Sequence, residues 1–515
     1  MTAEPSPALP RVPWPANRWL QATLLLVAGG AQTLTFSPFG WWWLAPLSLA
    51  LIAAIGLTLP ANQLFRAGWL VGFGLFGTGA SWVYISISEY GNTNTPVAVV
   101  LTLLFVAGLA LFHGVAFWFW GKLAPHSAWR RLLLLPAIWV LGDWLRGWLL
   151  TGFPWLFLGT AQVDGPLAGF APMVGVFGLT LWIAASGSAL YGALWLLRNQ
   201  RHKAALALAL VILAPWFTGG LAGQVQWTRI ATTPTAIAAV QGNIPQQIKW
   251  DPEFMKEQIV TYLLLTEDDW DRDLILWPET AIPITQDQAG EILTHINTRL
   301  GPDSTLITGI PWYGFSDSRE DFTFRNSILA TGNGDGIYYK QKLVPFGEYV
   351  PLETWLRGLI GFFDLPMSSF SKGPKHQPPL AVNEHKVMPF ICYEVAYPDF
   401  VATNARHTDL LVTISNDGWF GDSIGPLQHL QLARMRALET GRYMLRGTNN
   451  GVTAIIDHRG RITRAIPQFT QGTLRGDVYR ATGNTPFMET GSWPTLTFAA
   501  ILIVLIRERD IPRPA

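Results

Sequence analysis

Val387-Met-Pro-Phe-Ile-Cys392, continued by Tyr393-Glu394, is a short apolar run that stops on a sulfur and a carboxylate. An apolar run of this length, bounded by polar or turn-forming residues, reads as a buried strand. The same signature recurs at Thr235–Val240, Leu274–Trp277, Thr305–Gly309 and Leu410–Ile414. Helical patterns, such as Phe254–Leu265 and Leu427–Leu445, lie between several of these runs. Strands alternating with helices give an α/β layered fold, in which reactive groups gather just past strand ends. Three such positions carry chemistry: Glu279 after Leu274-Ile-Leu-Trp-Pro, Cys392, and Asn416 after Leu411-Val-Thr-Ile-Ser415.

The rest of the chain has another character. Of its 515 residues half are hydrophobic and only 14% are charged, which leans towards the membrane class. Between Leu20 and Gly121 the only charged residues are Arg66 and Glu89, and 31 of the 35 carboxylates lie beyond Gln224. Tryptophan divides the other way, with 17 of 25 before that point. One end is built for lipid and the other for water. A net charge of +1 without basic runs points to no nucleic-acid partner. The single cysteine cannot form an intrachain disulfide, so any thiol chemistry belongs to Cys392.

Crossing a bilayer takes roughly 17–25 apolar residues. Runs of about this kind occur near 20–35, 40–60, 67–87, 96–121, 132–150, 170–197 and 204–222, with an eighth near 490–506. The first reads as an uncleaved span, because no convincing small-residue cleavage site follows it. Thr151–Gly169, apolar and punctuated by Pro and Gly, reads as a segment at the membrane interface. Lys and Arg fall in the N-terminal tail (Arg11, Arg18) and in the even loops (Arg66; Lys122, Arg130, Arg131; Arg198, Arg201, Lys203). By the positive-inside rule these face the cytoplasm, so seven crossings put the polar segment outside. The eighth span returns to a tail with Arg507, Arg509 and Arg513. The expected organisation is a membrane domain over 1–224, an extracytoplasmic α/β domain over 225–485, and a last span and tail over 486–515.

Each candidate residue has two readings. A cysteine is ordinarily a buried small hydrophobe; beside a base and a cation it becomes a nucleophile. Glu279, in Trp277-Pro-Glu-Thr280, suits a helix N-terminus and equally a general base at a strand end. Lys340, in Tyr338-Tyr-Lys-Gln-Lys-Leu343, is a solvated lysine on a strand edge, or an ammonium that stabilises charge on a carbonyl oxygen.

Together, Trp277-Pro-Glu-Thr280, the lysine segment with Val344-Pro-Phe-Gly-Glu-Tyr-Val-Pro351, and Ile391-Cys-Tyr-Glu394 resemble the carbon–nitrogen hydrolase (nitrilase) superfamily, whose signature is Glu, Lys and Cys in that order. Gln241-Gly-Asn-Ile-Pro-Gln246, Lys249-Trp250 and Ser415-Asn-Asp-Gly-Trp-Phe-Gly-Asp-Ser423 resemble one membrane branch, the apolipoprotein N-acyltransferases. The resemblance implies an α-β-β-α sandwich set in the periplasm of the bacterial inner membrane, between seven N-terminal spans and one C-terminal span, with both termini cytoplasmic. It assigns Glu279 as general base, Lys340 as oxyanion stabiliser and Cys392 as nucleophile. Glu348 positions the lysine and leaving group. Tyr393 and Glu394 shape the site, the Tyr393 N–H serving as second oxyanion donor. Trp250 and Trp419 match aromatic positions at the substrate entrance. Lys342 departs from the superfamily, whose soluble members usually carry His there.

The implied reaction is a two-step acyl transfer: from a membrane phospholipid to Cys392, then from that thioester to the α-amine of a lipoprotein's diacylglyceryl-cysteine. No metal or organic cofactor is expected, and a monomer suffices. One rival is an amidase or hydrolase in which water takes the acyl group. Another is a transporter, against which stands the scarcity of midplane polar residues in the spans. Leu352–Phe363 has apolar residues at helical spacing, including Trp355 and Phe362, and reads either as a packed amphipathic helix or as a mobile arm over the site. Asp143 and Arg146, three apart, are expected to pair or to reach headgroups, and His113 to make a helix–helix hydrogen bond.

Overall fold

The computed structural model describes residues 17–91, 93–315, 322–350 and 370–507. Leu352–Phe363, Arg509 and Arg513 lie outside the described residues. The described residues fall into two compact units, one within 1–81, 100–225 and 492–515, the other within 82–99 and 226–491.

The first unit is helical. Each of the eight apolar runs contains a helix: Arg18–Ala31, Leu44–Thr58, Leu64–Gly79, Thr95–Leu123, Ala128–Arg146, Ala171–Arg198, His202–Ala222 and Trp493–Ile506. Among the described residues three helices are long and apolar enough to cross a membrane, or four if the bent pair Ala61–Gly79 and Val83–Tyr90 is one span. The third run is therefore not one straight helix. Its helix ends at Ala80, where φ is −126°, and the chain from Trp82 packs in the second unit. Arg131, inside the unit, donates to the carbonyls of Gly56 and Leu59, closing the end of Leu44–Thr58.

Thr151–Gly169, expected at the membrane interface, is buried through most of its length, from Pro154 to Val163. Such irregular backbone is tolerated inside an apolar body only where its polar groups find partners. Arg146 supplies two, donating to the carbonyls of Phe153 and Trp155, and Thr180 Oγ accepts from Gly159 N–H. Arg146 also pairs with Asp143 at 2.8 Å, both buried, so the pair is structural and does not reach for headgroups. His113 does not bridge helices by a hydrogen bond at Nδ1, which has no partner among the described residues. Its ring packs edge-on against Phe76 and Trp139 instead.

The second unit holds two sheets. The first contains β1 (Arg229–Gln241), β2 (Leu274–Leu276), β3 (Thr305–Phe315), β4 (Phe322–Gly332), β6 (Ile337–Tyr339) and β13 (Gly472–Thr482), in the order β13-β1-β2-β3-β4-β6. The second contains β5 (Gly334–Asp335), β7 (Leu380–Val382), β8 (His385–Ile391), β9 (Leu410–Ser415), β10 (Met444–Thr448), β11 (Thr453–Ile456) and β12 (Ile462–Ile466), in the order β12-β11-β10-β9-β8-β7-β5. Each sheet has a parallel centre, β1-β2-β3 and β8-β9-β10, flanked by antiparallel strands.

Alternation along the strands explains the layers. Ile237, Leu274, Leu276 and Ile307 point into one core with Ile391, Val412 and Leu445 of the other sheet. Val240, Ile275, Trp277 and Leu306 point the other way, against Ile259 and Tyr262 of the helix Met255–Leu265 and Ile296 of Gly290–Arg299. Ala433 and Ala437 of Gly425–Thr440 and Val401 of Pro398–Asn404 cover the second sheet. Parallel strands buried on both faces must be apolar nearly throughout, which is why these runs read so clearly.

The helix expected over Leu427–Leu445 stops at Thr440. Gly441 takes a left-handed turn, φ 60°, that caps it, and Met444–Thr448 then pairs with β9 as a strand.

Candidate active site

The register of the second sheet sets the cysteine. β8 and β9 run parallel with Ile391 opposite Ile414, so the next residues, Cys392 and Ser415, emerge side by side at the same sheet edge. Ser415 Oγ stands 3.7 Å from Cys392 Sγ. Cys392 takes φ 52°, a left-handed conformation that costs a side chain about 1–2 kcal/mol and turns the chain sharply into the Cys392–Ala396 helical turn. A strained backbone at a strand end is a common place for reactive groups.

In the first sheet, β2 ends and the chain turns through Pro278-Glu279-Thr280, with Thr280 at φ 51°. No helix begins there, so the capping reading of Glu279 falls. This turn lies tight against β3 at Gly309, where a Cβ would come within 2.7 Å of the Glu279 Cα. Lys340 follows β6 and is 1% exposed, which excludes a solvated lysine.

The two segments converge through charge. Lys340 Nζ lies 2.8 Å from Glu348 Oε1 and 3.5 Å from Glu279 Oε1. Asn326, from the middle of β4, donates to both carboxylates, at 2.7 Å to Glu279 and 3.1 Å to Glu348. The other Glu279 oxygen accepts the Asn416 N–H at 2.8 Å, and the other Glu348 oxygen accepts the Val344 N–H at 2.9 Å. Burial works against the Lys340 charge, but Glu348, Glu279 and the nearby Cys392 outweigh it and hold the ammonium well above the usual lysine range. Burial first, then Glu279, push the Cys392 thiol up, while Lys340 pulls it down. The resting sulfur thus keeps its proton beside a fixed cation.

Glu394 is fully buried and ties these segments together. It accepts from Ile391 N–H at the cysteine strand, from Gln341 and Lys342 N–H beyond the lysine, and from Tyr338 Oη. Burial pushes its carboxyl up to about 7, against the backbone N–H groups. Tyr393 packs its ring against Tyr397 at 5.4 Å. Lys342, where a histidine was the superfamily expectation, lies over the Tyr397 and Phe400 rings at 5.1 and 5.5 Å. Trp250 and Trp419 take no side-chain part in this hydrogen-bonded set. Trp250 is half-buried, and its indole nitrogen has no partner among the described residues. Trp419 packs against Tyr90 at 5.6 Å, and its carbonyl accepts from Ser86 Oγ.

Several groups escaped the sequence reading. Asn326 carries no motif signal. Lys249 stands beside Trp250 in a quoted motif, yet only the fold shows its Nζ donating to the Glu279 carbonyl at 3.2 Å, with burial lowering it to about 8. Asp417, His429 and Arg446 form a buried cluster behind the cysteine. Atoms of Cys392, Asp417 and His429 lie close enough to share an ion, but Arg446 and His429 already engage Asp417, and the Cys392 carbonyl engages His429.

A buried carboxylate and ammonium beside a half-buried thiol, at neighbouring strand ends, can remove a proton, hold a developing anion and form a covalent intermediate. The comparisons bear on the same arrangement. Residues 28–189 match the sequence profile of the apolipoprotein N-acyltransferase N-terminal domain, and residues 236–485 match that of carbon–nitrogen hydrolases. The apolipoprotein N-acyltransferase of Azotobacter vinelandii is 46% identical over 98% of this chain and 98% of its own. That of Pseudomonas syringae pv. tomato is 45% identical over 95% and 96%, and that of Coxiella burnetii 40% over 94% and 99%. Identity at this level along nearly the full length places the chain in the apolipoprotein N-acyltransferase family.

Proposed function

We propose that the chain moves a fatty acyl group from a membrane phospholipid, through a thioester on Cys392, to the α-amine of the N-terminal diacylglyceryl-cysteine of an apolipoprotein. The observation that carries this reading is the buried meeting of Glu279, Lys340 and Glu348 beside Cys392. Glu279 takes the thiol proton as the sulfur attacks the ester carbonyl. The oxyanion forms beside the Lys340 ammonium and the Tyr393 N–H. The C–O bond breaks, Glu279 returns the proton to the departing lysophospholipid oxygen, and the thioester remains. In the second half the lipoprotein amine attacks the thioester, Glu279 takes the amine proton, and the thiolate leaves and is reprotonated. Glu348 and Asn326 fix Lys340 and Glu279 so that neither must reorganise. Trp250 and Trp419 line the entrance for the two lipids. The chain's own groups supply every proton transfer, without a cofactor, and one copy is sufficient.

The same reading makes the eight apolar runs, the last of them containing the helix Trp493–Ile506, an eight-span bundle in the bacterial inner membrane. Loop lysines and arginines support cytoplasmic termini and a periplasmic second unit, with domains over 1–224, 225–485 and 486–515.

Mixing the full-length protein with phospholipid alone should add the mass of one acyl group at Cys392. A diacylglyceryl lipopeptide should then remove that mass and carry it as an amide. Release of the label as free fatty acid, with none on the lipopeptide, would replace transfer by hydrolysis; absence of any acyl adduct would end both readings.

A further inference from the structure

Behind the nucleophile stands a second set of buried polar groups that the proton transfers above leave unused. Ser415 ends β9, Asp417 lies in the turn after it, His429 sits on the helix Gly425–Thr440, and Arg446 lies in the middle of β10. All four are at most 2% exposed. Ser415 Oγ is 2.5 Å from Asp417 Oδ1 and 3.7 Å from Cys392 Sγ. His429 Nδ1 is 2.9 Å from Asp417 Oδ1, and its Nε2 is 3.0 Å from the Cys392 carbonyl oxygen. Arg446 donates to Asp417 Oδ2 at 2.6 Å and also lies 3.2 Å from His429 Nδ1.

We propose that Ser415, Asp417, His429 and Arg446 form a positioning unit that grips the nucleophile twice, at its sulfur through Ser415 and at its own carbonyl through His429. The inference rests on the reading of Cys392 as the nucleophile. A carbonyl oxygen only accepts, so His429 Nε2 carries a hydrogen and donates it. That bond fixes the carbonyl of a residue whose φ of 52° is costly for a side chain, and thereby fixes where the sulfur points.

Ser415 has a single hydroxyl hydrogen. A carboxylate also only accepts, so in the resting state that hydrogen goes to Asp417, and the serine oxygen is left to accept the S–H of Cys392. When Glu279 removes the thiol proton, the sulfur becomes an acceptor and the hydroxyl turns to donate to it. No atom is transferred; one hydrogen bond changes partner. Asp417 keeps the Arg446 donor after the turn. Asp417 itself is not the base. Burial pushes its carboxyl up, but Arg446, His429 and Ser415 together hold it well below the usual carboxylate range. The charged groups facing the sulfur are therefore Glu279, Lys340, Glu348 and Asp417, with Arg446 and His429 behind Asp417. Only Ser415 among the unit's side chains meets the sulfur by a hydrogen bond.

The test uses the full-length protein in detergent. Three quantities are read: Cys392 alkylation by iodoacetamide across a pH series, acyl-enzyme formation from phospholipid by intact mass, and thermal unfolding. With Ser415→Ala, the hydrogen bond to the thiolate is lost. Alkylation should slow about tenfold at a given pH and its midpoint should move up by about one unit, with unfolding little changed. With His429→Gln, an amide N–H stands near the place of Nε2, and acyl-enzyme formation should stay within about threefold of wild type; with His429→Leu it should fall about tenfold or more. Wild-type alkylation and acylation in Ser415→Ala would overturn the proposal. So would a His429→Leu variant that loses thermal stability but keeps both reactions unchanged, since that describes support of the fold alone. If wild type forms no acyl-enzyme while Ser415→Ala still shifts the alkylation profile, the acyl-transfer reading fails and the positioning unit stands.

Discussion

The two units each bury a cluster of opposite charges, and the clusters are balanced differently. In the first, Asp143 meets Arg146 at 2.8 Å, one anion against one cation. The guanidinium goes on to the carbonyls of Phe153 and Trp155 and lies over the rings of Phe76 and Phe157. In the second, Lys340 faces two carboxylates, Glu348 and Glu279, with a protonated thiol nearby. Desolvating charge costs several kcal/mol per ion in either place. A matched pair whose cation also binds backbone carbonyls holds a loop and leaves no charge to spend on chemistry. In the second cluster the two carboxylates share the one ammonium that they touch among the described residues, since Lys249 reaches Glu279 only at its backbone carbonyl. A carboxylate there can take a proton. The difference separates an ion pair that only holds structure from one arranged as chemistry requires more sharply than burial does, since both are buried.

Removing the cation from each cluster should therefore do different things. Lys340→Met should lower acyl-enzyme formation by about 10³-fold, measured by the rate of the mass shift at Cys392, because the oxyanion loses its fixed charge. A variant retaining activity within tenfold would show that the ammonium is not the stabiliser. Arg146→Met leaves Asp143 buried and unpaired and should cost about 3–5 kcal/mol of stability, seen as a lower Tm. The double variant Arg146→Met with Asp143→Leu should recover most of that loss. A double variant no better than the single one would mean that the loop contacts, not the charge balance, carry the effect. Glu348→Gln stands between these cases. Glu279, itself held by Asn326, still faces the lysine, so acyl-enzyme formation should fall only about 10- to 100-fold, with Tm nearly unchanged.

What could be read in the sequence follows the same physics. Parallel strands covered on both faces leave unbroken apolar runs, so Leu274–Trp277, Val387–Cys392 and Leu410–Ile414 stood out, and with them Glu279, Cys392 and Asn416 at their ends. Lys340 came from its motif, because β6 is only three residues long and leaves no comparable run. Asn326, His429 and Arg446 were illegible as partners. Each is a polar residue in the middle of a strand or helix, and the sheet order alone decides what it meets. A polar side chain at an apolar-facing position, such as Arg446 in Met444-Leu-Arg-Gly-Thr448, was the available signal. Hydropathy also ran past two breaks that only the backbone reveals, Ala80 in the third apolar run and Gly441 at the end of Gly425–Thr440.

Glu394 sharpens the comparison from a third side, as a buried carboxylate held by donors, with no cation in hydrogen-bond contact among the described residues and Lys340 acting on it only at longer range. Burial raises it from the ordinary 4.5 to about 7, although the N–H groups of Ile391, Gln341 and Lys342 pull it down. Between those two values the folded chain holds a proton that the unfolded chain has released. The stability contributed by this group is thus fully present below about pH 4.5 and is lost as pH rises through about 7, a loss of at most about 3 kcal/mol. Glu394→Gln cannot titrate, yet keeps an oxygen for the backbone N–H groups. Between about pH 5 and about pH 8 the Tm of wild type should fall relative to that of the variant by about 5 °C or more. Parallel curves for the two proteins would mean that Glu394 stays ionised throughout. Four donors, with Lys340 near but not in contact, would then be enough to hold a buried charge, and a cation in direct contact would lose its standing as the mark that divides the two clusters.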